Sequence, residues 1–223
     1  MMKKDNSLFW KKIKNIFYRY RRYLLFLIEY YLLEKPRGLD FTMRDLTLMN
    51  DSDGILSGYS KINERHLHQI LRHLIRLLDE VKCECFLDIG CGKGVVLKEA
   101  IKYPFMKVAG IEIQGNLVEI ARKNFRILHI ENKTECILAD ALKFDDYGSY
   151  SIFFFFNPFG KDIFAKVIER IVMQNQGQNK KIYLIYHNPL HKQVIEDMGY
   201  FQKEFTMFDT LKQYETCVYS SII

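Results

Sequence analysis

From residue 84 onward, the chain alternates short apolar runs with amphipathic stretches. Five runs have the length of buried strands, at residues 84–89, 107–112, 135–138, 151–156 and 181–187. Helical patterns separate them, at residues 93–103, 115–128, 161–174 and 190–198. Such alternation predicts an α/β fold whose parallel sheet is covered by helices on both faces.

The end of the chain breaks this alternation. Two strand-like segments, "FQKEFTMFDT" and "QYETCVYSSII", follow one another without a helical pattern between them. Strands joined in this way run antiparallel. We therefore expect a doubly wound, mostly parallel sheet with an antiparallel C-terminal hairpin at one edge.

The N-terminal part has a different pattern. Apolar residues at three-and-four spacing predict a helix over residues 7–34, which "KPRG" at 35–38 ends. Residues 38–60 resemble a loop, with the turn cluster "NDSDG" in it, and a second helical pattern covers 62–80. We expect an N-terminal basic helical extension at 1–60 and a sheet-bearing domain at 61–223.

Charge is distributed unevenly along the chain. The net charge is +6, yet residues 1–22 alone carry +7, so the remainder is close to neutral at −1. The apolar run at 23–33 is 11 residues long and contains Glu29. It is shorter than the roughly 20 residues that span a bilayer, and no small-residue cleavage site follows it. We expect neither a transmembrane helix nor a signal peptide.

Cysteine usage bears on the compartment and on metal binding. The chain has five cysteines, an odd number, without the composition of a disulfide scaffold. Cys83 and Cys85 lack a second Cys/His pair at zinc-site spacing. We predict reduced thiols, a cytoplasmic protein and no metal site.

The loop after the first predicted strand, "FLDIGCGKG", has glycine at every second position. Gly90, Gly92 and Gly94 follow Asp88, whereas the dinucleotide fingerprint would need glycine where Val95 stands. A carboxylate at the strand end repels a pyrophosphate but attracts an ammonium group. The loop therefore favours a ligand such as S-adenosylmethionine, which has an ammonium group and no phosphate.

Two further carboxylates follow the next two predicted strands. Glu112 ends "KVAGIEI", at the position where an acidic residue accepts hydrogen bonds from ribose hydroxyls in folds of this kind. Asp140, in "ILADALKF", stands where a side chain can meet the edge of an adenine ring. Both positions suit an adenosine ligand.

Together with "NPF" at 157–159, these motifs resemble motifs I to IV of the class I, Rossmann-like S-adenosylmethionine-dependent methyltransferases, and in particular small bacterial members. The resemblance covers roughly residues 60–223. It implies that S-adenosylmethionine is the cofactor and that the N-terminal neighbour Tyr59 folds over it. The residues implied to bind it are Asp88, Gly90, Cys91 and Gly92 at the methionine end, Glu112 and Ile113 near the ribose, Asp140 and Ala141 near the adenine, and Asn157 near the methyl group.

Candidates for the chemistry stand at the ends of the fourth and fifth predicted strands. In amino-group methyltransferases, a motif comparable to Asn157-Pro158-Phe159 accepts hydrogen bonds from the target nitrogen and stacks an aromatic ring on the substrate. Here the motif's second proline is missing, and a strand-ending turn is the alternative explanation. His187 in "YHNPLH" is a candidate general base if it faces the same cleft, or else part of an ordinary turn.

The basic N-terminal helix has three candidate roles: a cap that selects the substrate, a peripheral membrane contact through residues 7–34, or a nucleic-acid contact. For the whole protein we expect methyl transfer to an N or O nucleophile of a small molecule, glycan or protein side chain. The alternatives are a non-catalytic cofactor-binding protein and a nucleic-acid methyltransferase that uses the basic N-terminus. We expect a cytoplasmic protein, with membrane association left open.

Overall fold

A computed structural model describes residues 10, 17, 20–21, 23–43, 60–78, 84–209 and 214–222. The chain forms two compact units, Met1–Met43 and Arg44–Ile223. The boundary predicted at residue 60 remains a prediction, because residues 44–59, with the predicted turn cluster, lie outside the described residues.

The described part of the first unit is mainly helical, in agreement with the predicted helix. Residues 23–27 are α-helical and continue as a π-helix at Ile28–Glu34 and a 3₁₀ turn at Lys35–Arg37. Gly38 then adopts a positive φ of 73°, a conformation that glycine tolerates and that ends the helix. The "KPRG" stop is confirmed.

The described residues of the second unit form a seven-stranded sheet, in the order β3-β2-β1-β4-β5-β7-β6. β1 to β5 run parallel, and β7 pairs antiparallel with both β5 and β6. This confirms the predicted fold class, including the antiparallel hairpin at one edge. The strands are β1 Cys85–Ile89, β2 Lys107–Glu112, β3 Glu135–Leu138, β4 Ile152–Phe156, β5 Tyr183–His187, β6 Phe201–Phe208 and β7 Glu215–Ser221.

Amphipathic helices cover the sheet, and several are shorter than the sequence pattern predicts. The second helix begins only after Gly94, whose φ of +82° turns the glycine loop into the helix. The helices are α1 Glu64–Ile75, α2 Val95–Ala100, α3 Gly115–Ile127, α4 Lys161–Asn175 and α5 Lys192–Asp197.

The sheet's connectivity positions the site. β1 lies between β2 and β4, so the chain winds outward in both directions from this point. In open α/β sheets, ligands bind beyond the carboxyl ends of the strands where the winding reverses. Phe153 and Phe155 of β4 are fully buried in the core beneath this edge. The loops after β1, β2 and β4 therefore stand together on a rigid base.

Candidate functional site

A cavity of about 500 Å³ opens at the carboxyl ends of the parallel strands. Its wall comes mainly from the segments that follow β1, β2, β3 and β4. Almost all of the cofactor and substrate residues predicted from the sequence line it: Asp88, Gly90, Cys91, Gly92, Glu112, Ile113, Asp140, Ala141, Asn157, Pro158 and Phe159. Tyr59 lies outside the described residues, so its role stays a prediction.

Backbone hydrogen bonds hold the glycine loop against the second strand. The amides of Gly90 and Cys91 both donate to the carbonyl oxygen of Ile111, at 2.9 and 3.0 Å. Gly90 has a φ of +80°, and a Cβ there would lie 2.8 Å from Cβ of Pro158. The loop therefore needs glycine both for its conformation and for its close approach to the corner after β4.

Asp88 is the most deeply buried carboxylate of the cavity, with 2% of its surface exposed. Burial, and then repulsion from Glu112, raises the pKa of Asp88 well above its ordinary value. A buried carboxylate of this kind favours a ligand that brings a positive charge. The ammonium group of S-adenosylmethionine meets this requirement, and a pyrophosphate does not.

Glu112 links the glycine loop to the second strand. Its Oε2 accepts a hydrogen bond from the amide of Gly92 at 3.0 Å, and its Oε1 accepts one from the amide of Gln114 at 3.0 Å. Burial raises the pKa of Glu112, although these amide donors oppose the shift. Each carboxylate oxygen can accept more than one hydrogen bond, so Glu112 retains capacity for ribose hydroxyls while it orders the loop.

Cys91 packs beneath the loop. Its Sγ lies 3.2 Å from Sγ of Cys136 on β3. A Cβ on Gly110 of β2 would come within 2.6 Å of Cβ of Cys91. Burial is the largest cause that raises the pKa of the Cys91 thiol, which makes it a poor nucleophile. We therefore attribute to Cys91 a packing role at the floor of the cavity and no role as a nucleophile.

The predicted adenine end of the cavity follows β3. Oδ1 of Asp140 accepts a hydrogen bond from the amide of Leu142 at 2.9 Å, which orients the carboxylate. The carbonyl of Ala141 accepts a hydrogen bond from the hydroxyl of Tyr147 at 2.7 Å. Ile113 is 46% exposed and offers an apolar surface to a ring. These contacts give this end one polar edge and one apolar wall.

Asn157 is held in a defined orientation. Its Oδ1 accepts a hydrogen bond from the Tyr186 hydroxyl at 3.1 Å, and that hydroxyl accepts one from the amide of His191 at 3.3 Å. The backbone amide of His191 can only donate, so the Tyr186 hydroxyl must direct its own proton to Asn157. This hydrogen bond determines which end of the Asn157 side-chain amide is the oxygen and which is the nitrogen. Burial raises the pKa of Tyr186 to about 12, so the donor persists at neutral pH.

His187 does not line the cavity, and the expectation that it faces the cleft is corrected. Its side chain is fully buried, with Nδ1 2.7 Å from Oγ1 of Thr216. The rings of Phe156 and Tyr214, which do line the cavity, stand 4.5 and 5.4 Å from the His187 ring, measured between centroids. The cause is the pairing of β7 beside β5, which places Thr216 directly opposite His187.

Several cavity residues were not predicted from the sequence. Asn188 follows β5 as Asn157 follows β4; both precede a proline, and both have a positive φ, of 52° and 41°. This repeated Asn-Pro corner was visible in the sequence. Phe156 and Tyr214 also line the cavity, but no local pattern marks them.

Comparison with known proteins supports the interpretation of this cavity as a methyltransferase site. Residues 86–173 match the family model described as a methyltransferase domain. Among curated proteins, the ribosomal RNA small subunit methyltransferase A of Mycoplasma capricolum is 36% identical over 76 residues. That match covers 34% of this chain and only 27% of the relative.

Solved structures share the fold at low sequence identity. An RNA methyltransferase from Salinibacter ruber, in complex with S-adenosyl-L-homocysteine, superposes with a TM-score of 0.52 at 17% identity, covering 69% of this chain and 90% of that one. The magnesium protoporphyrin IX methyltransferase of Synechocystis PCC 6803, with bound S-adenosylmethionine, gives 0.53 at 14% identity, covering 71% and 78%.

Fold, family match and site geometry agree. The sheet-bearing unit has the Rossmann-like methyltransferase fold, and its residues 86–173 match a methyltransferase domain; the two solved structures of this fold hold S-adenosyl-L-homocysteine or S-adenosylmethionine. The matched relatives include enzymes named for RNA and for a porphyrin. They therefore leave the acceptor open.

Proposed function

We propose that the protein transfers the methyl group of S-adenosylmethionine to an N or O nucleophile of an acceptor that binds beside Asn157. The observation that carries this proposal is one continuous cavity wall. It places Asp88, Glu112 and Asp140 at successive strand ends, with Asn157 at the end of the neighbouring strand.

The charges of this wall support the choice of cofactor. Among the described residues that line the cavity, the charged side chains are the three acidic ones, Asp88, Glu112 and Asp140. Bound S-adenosylmethionine would bring an ammonium group, a sulfonium group and two ribose hydroxyls. In the proposed complex, Asp88 attracts the ammonium group and Glu112 accepts from the hydroxyls. The sulfonium supplies the activated methyl group.

The residues that line the cavity around Asn157 suggest the kind of acceptor. Phe156, Phe159 and Tyr214 give this end aromatic walls, and Asn157 and Asn188 give it uncharged polar groups. We expect a flat, uncharged acceptor, because aromatic walls stack on planar groups and a protonated amine has no free lone pair. The chain's task is then alignment of the acceptor with the methyl carbon. Asn157 Oδ1 would orient the acceptor's N–H or O–H.

A second candidate acceptor is RNA. The local similarity to a ribosomal RNA methyltransferase favours it, as does the basic N-terminal segment. A nucleobase is flat and uncharged, so it also suits the aromatic end of the cavity. We prefer small-molecule and protein acceptors to RNA, because the described cavity lining has no basic residue that would contact a phosphate.

Isothermal titration tests the cofactor. We expect S-adenosylmethionine and S-adenosylhomocysteine to bind and NAD not to bind. The Asp88→Ala protein should lose most of this affinity, while Glu131→Gln, which removes an exposed carboxylate, should keep it. Tight NAD binding, with no binding of either sulfur compound, would overturn the assignment.

Transfer of a tritiated methyl group tests turnover. The labelled cofactor is incubated with the protein and with separate protein, RNA and small-molecule fractions of a bacterial extract. Label should enter one fraction, and the Asn157→Ala protein should transfer at least about tenfold less. Label in RNA alone would select the second candidate. Cofactor binding without transfer to any fraction would favour a non-catalytic binding protein.

A further inference from the structure

The N-terminal unit exposes an unusual amount of apolar surface. We call this the apolar helix surface; it consists of Tyr20, Tyr23, Leu24, Leu25, Ile28, Tyr31, Leu32 and Leu33. Each of these side chains is between 39% and 73% exposed. Single exposed apolar residues are ordinary, but eight of them within one helical segment mark an interaction surface.

Positive charge is concentrated in the same unit. Residues 1–43 contain ten Lys and Arg against four Asp and Glu, which makes +6, the net charge of the whole chain. Arg21, Lys35 and Arg37 are exposed at the two ends of the apolar helix surface. The ammonium group of Lys35 lies 5.2 Å from the ring centre of Tyr31, so charge and apolar surface adjoin.

An acidic side chain near the helix end is turned away from solvent. Glu34 is 5% exposed, and its carboxylate accepts hydrogen bonds from the amides of Phe41 and Thr42, both at 2.8 Å. It also accepts one from the Thr42 hydroxyl at 2.5 Å. This local structure keeps one negative charge off the surface that would face a partner.

The segment is too short to cross a bilayer. At no more than about 1.5 Å per residue, residues 23–34 extend at most roughly 18 Å, whereas the hydrocarbon core is about 30 Å thick. Among the described helices, none is long and apolar enough to span a membrane. Helices that lie in a membrane interface combine leucines and aromatic residues with flanking lysines and arginines. Tyrosine rings suit that position, since one edge is apolar and the other polar.

We propose that the apolar helix surface binds an anionic lipid bilayer and lies in the plane of its interface. The complementary charge of the unit selects this partner over two others. A second copy of the chain would repeat the +6 charge and be repelled by it. RNA would match the charge but would leave the leucines without a function.

Vesicle sedimentation tests the proposal. The full-length protein is mixed with vesicles of phosphatidylcholine alone or with about a third phosphatidylglycerol. We expect binding to the anionic vesicles, and weaker binding in 1 M salt, where screening shortens electrostatic reach to about 3 Å. The variant Leu24→Ser/Leu32→Ser/Leu33→Ser should lose roughly tenfold or more of its partition coefficient. Met106→Ser/Leu190→Ser, at exposed sites of the other unit, is the matched control and should bind normally.

The outcomes are distinguishable from one another. Equal binding by the triple variant and the wild type would refute the proposal, as would absence of binding to anionic vesicles at low salt. Light scattering without lipid provides a further check: a dimer that the triple variant abolishes, without vesicle binding, would assign the surface to a second copy. RNA binding that the serine substitutions leave unchanged, again without vesicle binding, would assign the segment to nucleic acid. Unaltered far-UV circular dichroism confirms that the helix of the N-terminal unit is still folded in the variants.

Discussion

Replacement of Asp88 by asparagine should weaken cofactor binding while it stabilises the free protein. The substitution keeps the shape of the side chain and removes its charge. Charged hydrogen bonds contribute about 1.5–3 kcal/mol, so we expect the affinity for S-adenosylmethionine to fall by about 10- to 150-fold. Isothermal titration measures this loss directly, with Glu131→Gln as the exposed control.

The stability effect follows from the raised pKa of Asp88. In the folded protein, burial and the proximity of Glu112 lift this pKa well above the 3.8 of an ordinary aspartate. Folding therefore favours the protonated form. The wild type loses stability as the pH rises from about 3.8 toward the folded pKa, by about 1.4 kcal/mol per pH unit. Asp88→Asn removes this loss.

Thermal unfolding of the free protein should show the pH dependence. The melting temperature of Asp88→Asn should exceed that of the wild type by an amount that is small near pH 4 and grows with pH. Each kcal/mol corresponds to about 2–4 °C for a chain of this size. Undiminished cofactor affinity in Asp88→Asn would refute the ammonium argument. A melting-temperature difference that does not change with pH would refute the assigned pKa shift.

Two other substitutions test the loop and the orientation of the amide. Gly94→Ala should destabilise the protein by roughly 2–4 kcal/mol in urea unfolding, because its Cβ would lie 2.4 Å from the Phe125 ring at a φ of +82°. Gly115→Ala, which meets nothing within 4 Å, should be near neutral; similar losses in both would contradict the steric argument. Tyr186→Phe should bind S-adenosylhomocysteine normally but lose about 2- to 12-fold affinity for sinefungin, whose amine replaces the methyl group and needs an oriented Asn157 oxygen. An unchanged ratio of the two affinities would exclude that positioning role.

Local patterns in the sequence were sufficient for the architecture and for bringing the predicted strand-end residues to one cavity. Strand and helix periodicity follows from which face of each element is buried, so the alternation predicted the parallel sheet. The glycine loop follows β1, Glu112 is the last residue of β2, and Asp140 stands two residues after the end of β3. Because parallel strands end at one edge of the sheet, these residues had to meet there.

The cavity wall near the ends of β4 and β5 depended on pairing between distant segments. β7 returns to lie beside β5, and this pairing buries His187 against Thr216 and brings Tyr214 to the cavity. The hydrogen bond from Tyr186 to Asn157 likewise joins neighbouring strands, β5 and the end of β4.

The sequence by itself therefore determined the fold class, the cofactor and the residues that follow each strand. Only the tertiary structure decided which strand-end side chains face the cavity and which are buried behind it. Periodicity reports the environment of a residue within its own element. The side chains that cover the end of a strand come from elements distant in the chain. Which of them lie there depends on how all the strands of the sheet pair.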